Sequence, residues 1–164
     1  HTRSFHVTGV QTCALPISPH PRVHPVPAVG QGDEGGIVAR EQVSAPNTAK
    51  PIGPYSPALR VGHLLFLSGQ VGFDPASGQL VADDITTQTD QVMQNIGALL
   101  RAGGADFSKV VRMTVFLADM NEFAAMNAVY ARYVSDPPPT RSTVQVAALP
   151  RNARVEIDVI AVLD

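Results

Sequence analysis

A chain of 164 residues with a formal net charge of −2 is one domain's worth, with or without a tail, and has no general attraction for phosphate backbones. Its 45% hydrophobic content supports a core, which must be aliphatic because there is no Trp and aromatics make up 5%. The lone Cys13 excludes an intrachain disulfide, no apolar run is long enough to cross a bilayer, and four of five histidines precede residue 25, leaving His63 alone for any triad or zinc site further on.

Residues 1–18 contain "VTGVQTCALPIS", Val7 to Ser18, which resembles the in-frame translation of a sequencing-library adapter and is set aside from fold reasoning. Residues 19–37 are rich in Pro and Gly without helical or strand periodicity, and read as disordered or as translated upstream DNA. Glu34-Gly35 fits a purine-rich ribosome-binding site and Val38 a GUG start, so the folded domain is expected over residues 38–164.

A short polar strand is expected at Arg40 to Ser44, followed by the Pro- and Gly-punctuated loop "NTAKPIGPYS". "PALRVGHLLFLSGQVG" holds two β-prone runs around Val61-Gly62-His63 and predicts a hairpin. From Asp84 the period becomes helical, with Ile85, Thr89, Val92, Ile96, Leu99 and Leu100 on one side, acidic residues at the start and Gly103-Gly104 at the end. "KVVRMTVFLA" reads as a buried strand and "MNEFAAMNAVYARYV" as a second helix in which Phe123, Met126, Tyr130 and Tyr133 or Val134 share a side. Two strands, "RSTVQV" and "RVEIDVIAVL", close the chain. The order predicts an α+β fold: one mixed sheet with two helices packed on one face. The last strand is partly apolar on both faces, which points to burial of the open face between subunits.

"IGPYSPALRVGHLLFLSGQVGFDPASGQLV", "VVRMTVFLADMNEFAAMNAVYARYV" and "RSTVQVAALPRNARVEIDVIAVL" together resemble the RidA (YjgF/YER057c/UK114) family from about Val43 to Leu163. The resemblance implies a chorismate-mutase-like α+β fold, a homotrimer with active sites between subunits, and cofactor-free, metal-free deamination of imines or enamines. The expected substrates are 2-aminoacrylate, 2-iminopropanoate and 2-iminobutanoate, released as 2-keto acids and ammonia by a cytoplasmic enzyme.

The family motifs fall on Arg141, Glu156, Tyr55, Ser68, Gly69 and Asn127, and Thr143 stands where many members carry cysteine. Taken alone, Arg141 reads as a solvated strand-edge charge; within the motif it is the carboxylate anchor, because a guanidinium fork matches a carboxylate. The prolines 137–139 pre-order its approach. Glu156 is expected to hold water, Tyr55 to wall the cleft, and Ser68 with the Gly69 backbone to bind a carboxylate or oxyanion. Asn127 is a ligand contact or a satisfied buried amide, and Thr143 offers a hydroxyl in place of a thiol. Asp158 shares the Glu156 face as a solvated charge. The alternative function is a non-catalytic trimer that binds small 2-keto acids at the same cleft. The folded part carries no conspicuous basic stripe, so neither nucleic acid nor membrane is an expected partner.

Overall fold

The computed structural model describes residues 39–46, 48 and 53–164. The readings of residues 1–18 and 19–37, and of a start at Val38, lie outside the described residues. Within them, strands β1 (Arg40–Val43), β2 (Ala58–Val61) and β3 (Leu64–Val71) precede helix α1 (Ile85–Ala102). Strand β4 (Val110–Leu117), helix α2 (Phe123–Tyr130), and strands β5 (Thr140–Gln145) and β6 (Val155–Val162) follow. The strands form one mixed sheet in the order β1-β2-β3-β6-β4-β5, antiparallel except where β4 meets β5.

The hairpin turns where expected. Val61 pairs with Leu64 across Gly62-His63, and Gly62 sits at φ 58, a left-handed conformation that glycine adopts without steric cost. Helix α1 starts at Asp84, whose side chain accepts the Thr87 N–H, and closes at Gly103, whose N–H reaches the Leu99 and Leu100 carbonyls.

The expected α1 stripe is the core stripe: Ile85, Thr89, Val92, Ile96, Leu99 and Leu100 are all buried. Thr89 belongs there because its hydroxyl donates to the Ile85 carbonyl at 2.6 Å. Facing this stripe are Leu65 and Leu67 of β3, Met113, Val115 and Leu117 of β4, and Val155, Ile157, Val159 and Ala161 of β6. Burying each large aliphatic side chain contributes roughly 1.5–3 kcal/mol, so this single layer carries most of the stabilisation. Met126 and Tyr130 of α2 join the same cluster, which puts both helices on one face of the sheet.

Two expectations change. The second helix is a 3-10 turn, Met120–Glu122, followed by only eight α-helical residues. Asp119 caps the turn by accepting the Asn121 N–H, and beyond Tyr130 the amides of Arg132 and Tyr133 bond three residues back instead of four. Arg132 and Tyr133 then bond Asp90 of α1, fixing the end of the segment. Strand β4 is buried on one face only: Val111 and Arg112 are exposed beside a bulge between Val110 and Arg112.

The sheet face away from the helices is open. Leu64, Phe66, Val144 and Val162 are each more than a third exposed there, and Leu64 pairs with Val162 while Phe66 pairs with Ile160. Directly paired apolar residues thus form an exposed patch on the uncovered sheet face.

Candidate active site

The strand register decides how the expected site residues are distributed. Arg141 pairs with Met113, which is fully buried beneath the helices, so Arg141 rises from the helix-covered face of edge strand β5. Glu156 lies between buried Val155 and Ile157 and pairs with Phe116, so it rises from the open face. The two groups therefore occupy opposite faces of one sheet.

On the helix side, α2 presents a receptor for the guanidinium. Phe123, Asn127 and Tyr130 recur at i, i+4 and i+7 and line one stripe. Arg141 Nη1 donates to Asn127 Oδ1 at 2.7 Å. Its Cζ lies 5.5 Å from the Phe123 ring centroid and 4.7 Å from that of Tyr130, within cation–π range of both. Among the described residues no carboxylate pairs with this arginine, whose own residue is exposed. Thr143, two residues along the same strand face, holds its Oγ1 buried without a hydrogen-bond partner among the described residues.

The sequence places Phe123 and Tyr130 on one side of the second helix but does not show their contact with Arg141. The signal was an asparagine on the same helical stripe, between two aromatic rings. Asn127, expected to be a ligand contact or a buried amide, spends its carbonyl on Arg141.

On the open side, Ser68 and Gly69 sit in a β3 bulge, where the pairing with β6 skips from Leu67 to Gln70. Gly69 is required by a close approach: a Cβ there would overlap the Glu156 carboxylate. Burial pushes the Glu156 carboxyl above its ordinary range, and the Asp158 charge on the same face adds to the shift. Asp158 itself accepts the Thr114 N–H at 3.2 Å.

The Ser68 hydroxyl donates to the Ser56 carbonyl at 2.8 Å and its amide bonds the Pro57 carbonyl, so this serine ties down the loop bearing Tyr55 and keeps lone pairs to accept with. Tyr55, 49% exposed, lines a groove of about 670 Å³ with Gln42, Leu59, Phe66 and Ser68. A second groove, of about 440 Å³, runs along α1 and contains none of the expected site residues.

The strand that carries Glu156 is also clamped to α2. Arg154 bonds Asp83 at 3.0 Å and Glu122 at 2.8 Å, joining the start of β6 to the entrances of both helices.

The sequence profile of the family described as endoribonuclease L-PSP matches residues 45–163. A Mus musculus protein named 2-iminobutanoate/2-iminopropanoate deaminase is 46% identical over 125 residues, 76% of this chain and 93% of its own length. The chain belongs to this family, RidA. An Arabidopsis thaliana relative, Reactive Intermediate Deaminase A, chloroplastic, is 47% identical over 126 residues, 77% of this chain and 67% of that one. The crystal structure of RidA from an Antarctic Psychrobacter species matches with a TM-score of 0.73 at 37% identity, covering 75% of this chain and 99% of the other. The RidA fold expected from the motifs is thus the fold observed. Among the described residues, no helix is long and apolar enough to cross a membrane.

Proposed function

We propose that this RidA chain is a hydrolytic deaminase of 2-imino acids and their enamine tautomers, acting as a cytoplasmic homotrimer whose sites form between subunits. One observation carries the reading. A guanidinium held by Asn127 and two aromatic rings, without a carboxylate partner among the described residues, and a desolvated carboxylate stand on opposite faces of the same sheet. Such a pair acts on one small molecule only when one subunit supplies Arg141 and its neighbour supplies Glu156. The uncovered apolar face beside Glu156 gives a second copy a surface to bury.

In this arrangement Arg141 takes the substrate carboxylate in its fork, which places C2 beside the Glu156 carboxylate of the next subunit. Glu156 takes a proton from the water that adds to the C=N carbon and passes it to the imine nitrogen, which becomes an amine. The resulting carbinolamine collapses: Glu156 carries the hydroxyl proton to that nitrogen, the C–N bond breaks, the hydroxyl oxygen becomes the keto oxygen, and ammonia leaves with Glu156 again ionised. Water supplies the oxygen and no electrons are exchanged. A raised carboxyl pKa makes Glu156 a stronger base once ionised. Tyr55 walls the cleft, the Ser68 and Gly69 bulge frames the carboxylate, and the Thr143 hydroxyl gives a hydrogen bond near the anchor.

The family description names an endoribonuclease, whereas the mouse and Arabidopsis relatives are named for deamination. A net charge of −2 and an isolated fork suit a small acid better than a polyanion. The test is release of 2-keto acid and ammonia from freshly generated 2-iminobutanoate. Acceleration over the spontaneous rate is the expected result; tight 2-oxobutanoate binding with no acceleration would make the chain a binding protein.

Gly69→Ala offers a second check. The added Cβ displaces the Glu156 carboxylate, and a misplacement of this kind costs about 10²-fold in rate. The expected outcome is a lowered kcat with binding of 2-oxobutanoate retained, measured by turnover and calorimetry.

A further inference from the structure

Beneath Arg141 lies a group that the chemistry above leaves idle. Tyr130 is 5% exposed, and among the described residues its hydroxyl is buried with no hydrogen bond of good geometry, though the Arg141 guanidinium lies within reach of it. Leaving a buried hydroxyl unpaired is costly, and phenylalanine would fill the same space and keep the same ring against the guanidinium without that cost. The guanidinium is the polar neighbour at hand: its Cζ sits 4.7 Å from the ring centroid. Arg141 carries five N–H donors, of which Nη1 is engaged by Asn127. The Asn127 bond and the two ring contacts lay the guanidinium back against α2.

We propose, resting on the reading of Arg141 as the carboxylate anchor, that Tyr130 is a positioning residue whose hydroxyl oxygen accepts a guanidinium N–H when Arg141 turns its fork to a ligand. A planar fork that faces outward toward a carboxylate leaves its inner edge toward α2. Among the described residues, the Tyr130 oxygen is the unfilled acceptor that α2 itself offers on that side. The Asn127 carbonyl and the Tyr130 oxygen then hold one guanidinium from the α2 side, against the rings of Phe123 and Tyr130. Burial raises the phenol's pKa, and the Arg141 charge and the hydrogen-bonding reach of its guanidinium oppose the shift, so at neutral pH the group is a hydroxyl and not a phenolate. It holds the guanidinium without neutralising it, leaving the full charge for the substrate.

The test is a double-mutant cycle read by calorimetric affinity for 2-oxobutanoate and by thermal midpoint, using Tyr130→Phe, Arg141→Lys and the double variant. Tyr130→Phe is expected to weaken 2-oxobutanoate about tenfold, the size of one hydrogen bond to a charged group, without lowering the midpoint. In the Arg141→Lys background, where no fork needs aiming, the same change is expected to alter affinity by less than about twofold. Unchanged affinity in Tyr130→Phe overturns the proposal, as does an equal loss in both backgrounds. A lowered midpoint with unchanged affinity also overturns it, since the hydroxyl then serves folding or assembly. Full affinity in Arg141→Lys alone is a separate outcome: it removes the anchor reading, and the positioning role with it.

Discussion

Arg141→Ala is expected to lower kcat/KM for 2-iminobutanoate hydrolysis by at least about 10²-fold. Two charge-assisted hydrogen bonds from a fork are worth about 1.5–3 kcal/mol each, and about 1.4 kcal/mol is a factor of ten. Arg141 is an exposed edge-strand residue whose contacts lie on α2, so the loss falls on substrate and not on the core. The melting temperature is expected to stay within a few degrees of wild type. Arg141→Lys keeps the charge and loses the planar fork, so its kcat/KM is expected to fall between the two. Steady-state kinetics on freshly generated imine provide the comparison, and equal kcat/KM for wild type and Arg141→Ala would remove the anchor.

Glu156→Gln is expected to lower kcat by about 10²–10⁴-fold, the usual worth of a positioned acid–base group. Glutamine keeps the size and the contact with the Gly69 bulge, and loses only the ability to take a proton. The wild-type pH profile carries the same information. Glu156 must be ionised to accept a proton from water, and its pKa is raised first by burial and then by Asp158, so the acid limb of kcat is expected above the ordinary carboxylate range. Asp158→Asn removes the second cause, and the limb is expected to move to lower pH while burial keeps it above that of a solvated glutamate.

Stability follows the opposite course. A carboxyl whose pKa is higher folded than unfolded contributes fully below its unfolded pKa, and this contribution is lost as pH rises through the folded value. Glu156→Gln has no such loss, so the inactive variant is expected to be no less stable than wild type at neutral pH. Thermal denaturation across pH measures this. A variant both inactive and markedly less stable would assign Glu156 a structural role.

The fold was legible where local chemistry and global packing agree. Helix α1 could be bounded because Asp84 and Gly103 cap a stripe of regular helical period, and the β2–β3 hairpin because Gly62 stands where a left-handed residue is needed. Helix α2 was overextended because the aromatic periodicity continues past Tyr130, while the backbone tightens to keep Arg132 and Tyr133 on Asp90.

The candidate site was legible as a set of residues but not as a geometry. Strand β5, with Thr140, Ser142 and Gln145 beside Arg141, is polar on both sides, so its pattern does not reveal which face the helices cover. That follows only from its register with Met113, a pairing between strands joined through α2. The need for glycine at position 69 was likewise hidden, because the side chain that crowds it belongs to β6.

Mixing two inactive variants tests most directly that the anchor and the base act from different subunits. Arg141→Ala and Glu156→Gln, unfolded together and refolded at equal ratio, give mixed trimers in which one interface in three joins an intact Arg141 to an intact Glu156, so about a quarter of wild-type 2-iminobutanoate hydrolysis is expected to return. Activity no greater than the sum of the two variants, in mixed trimers confirmed by native mass spectrometry, would contradict a site shared between chains.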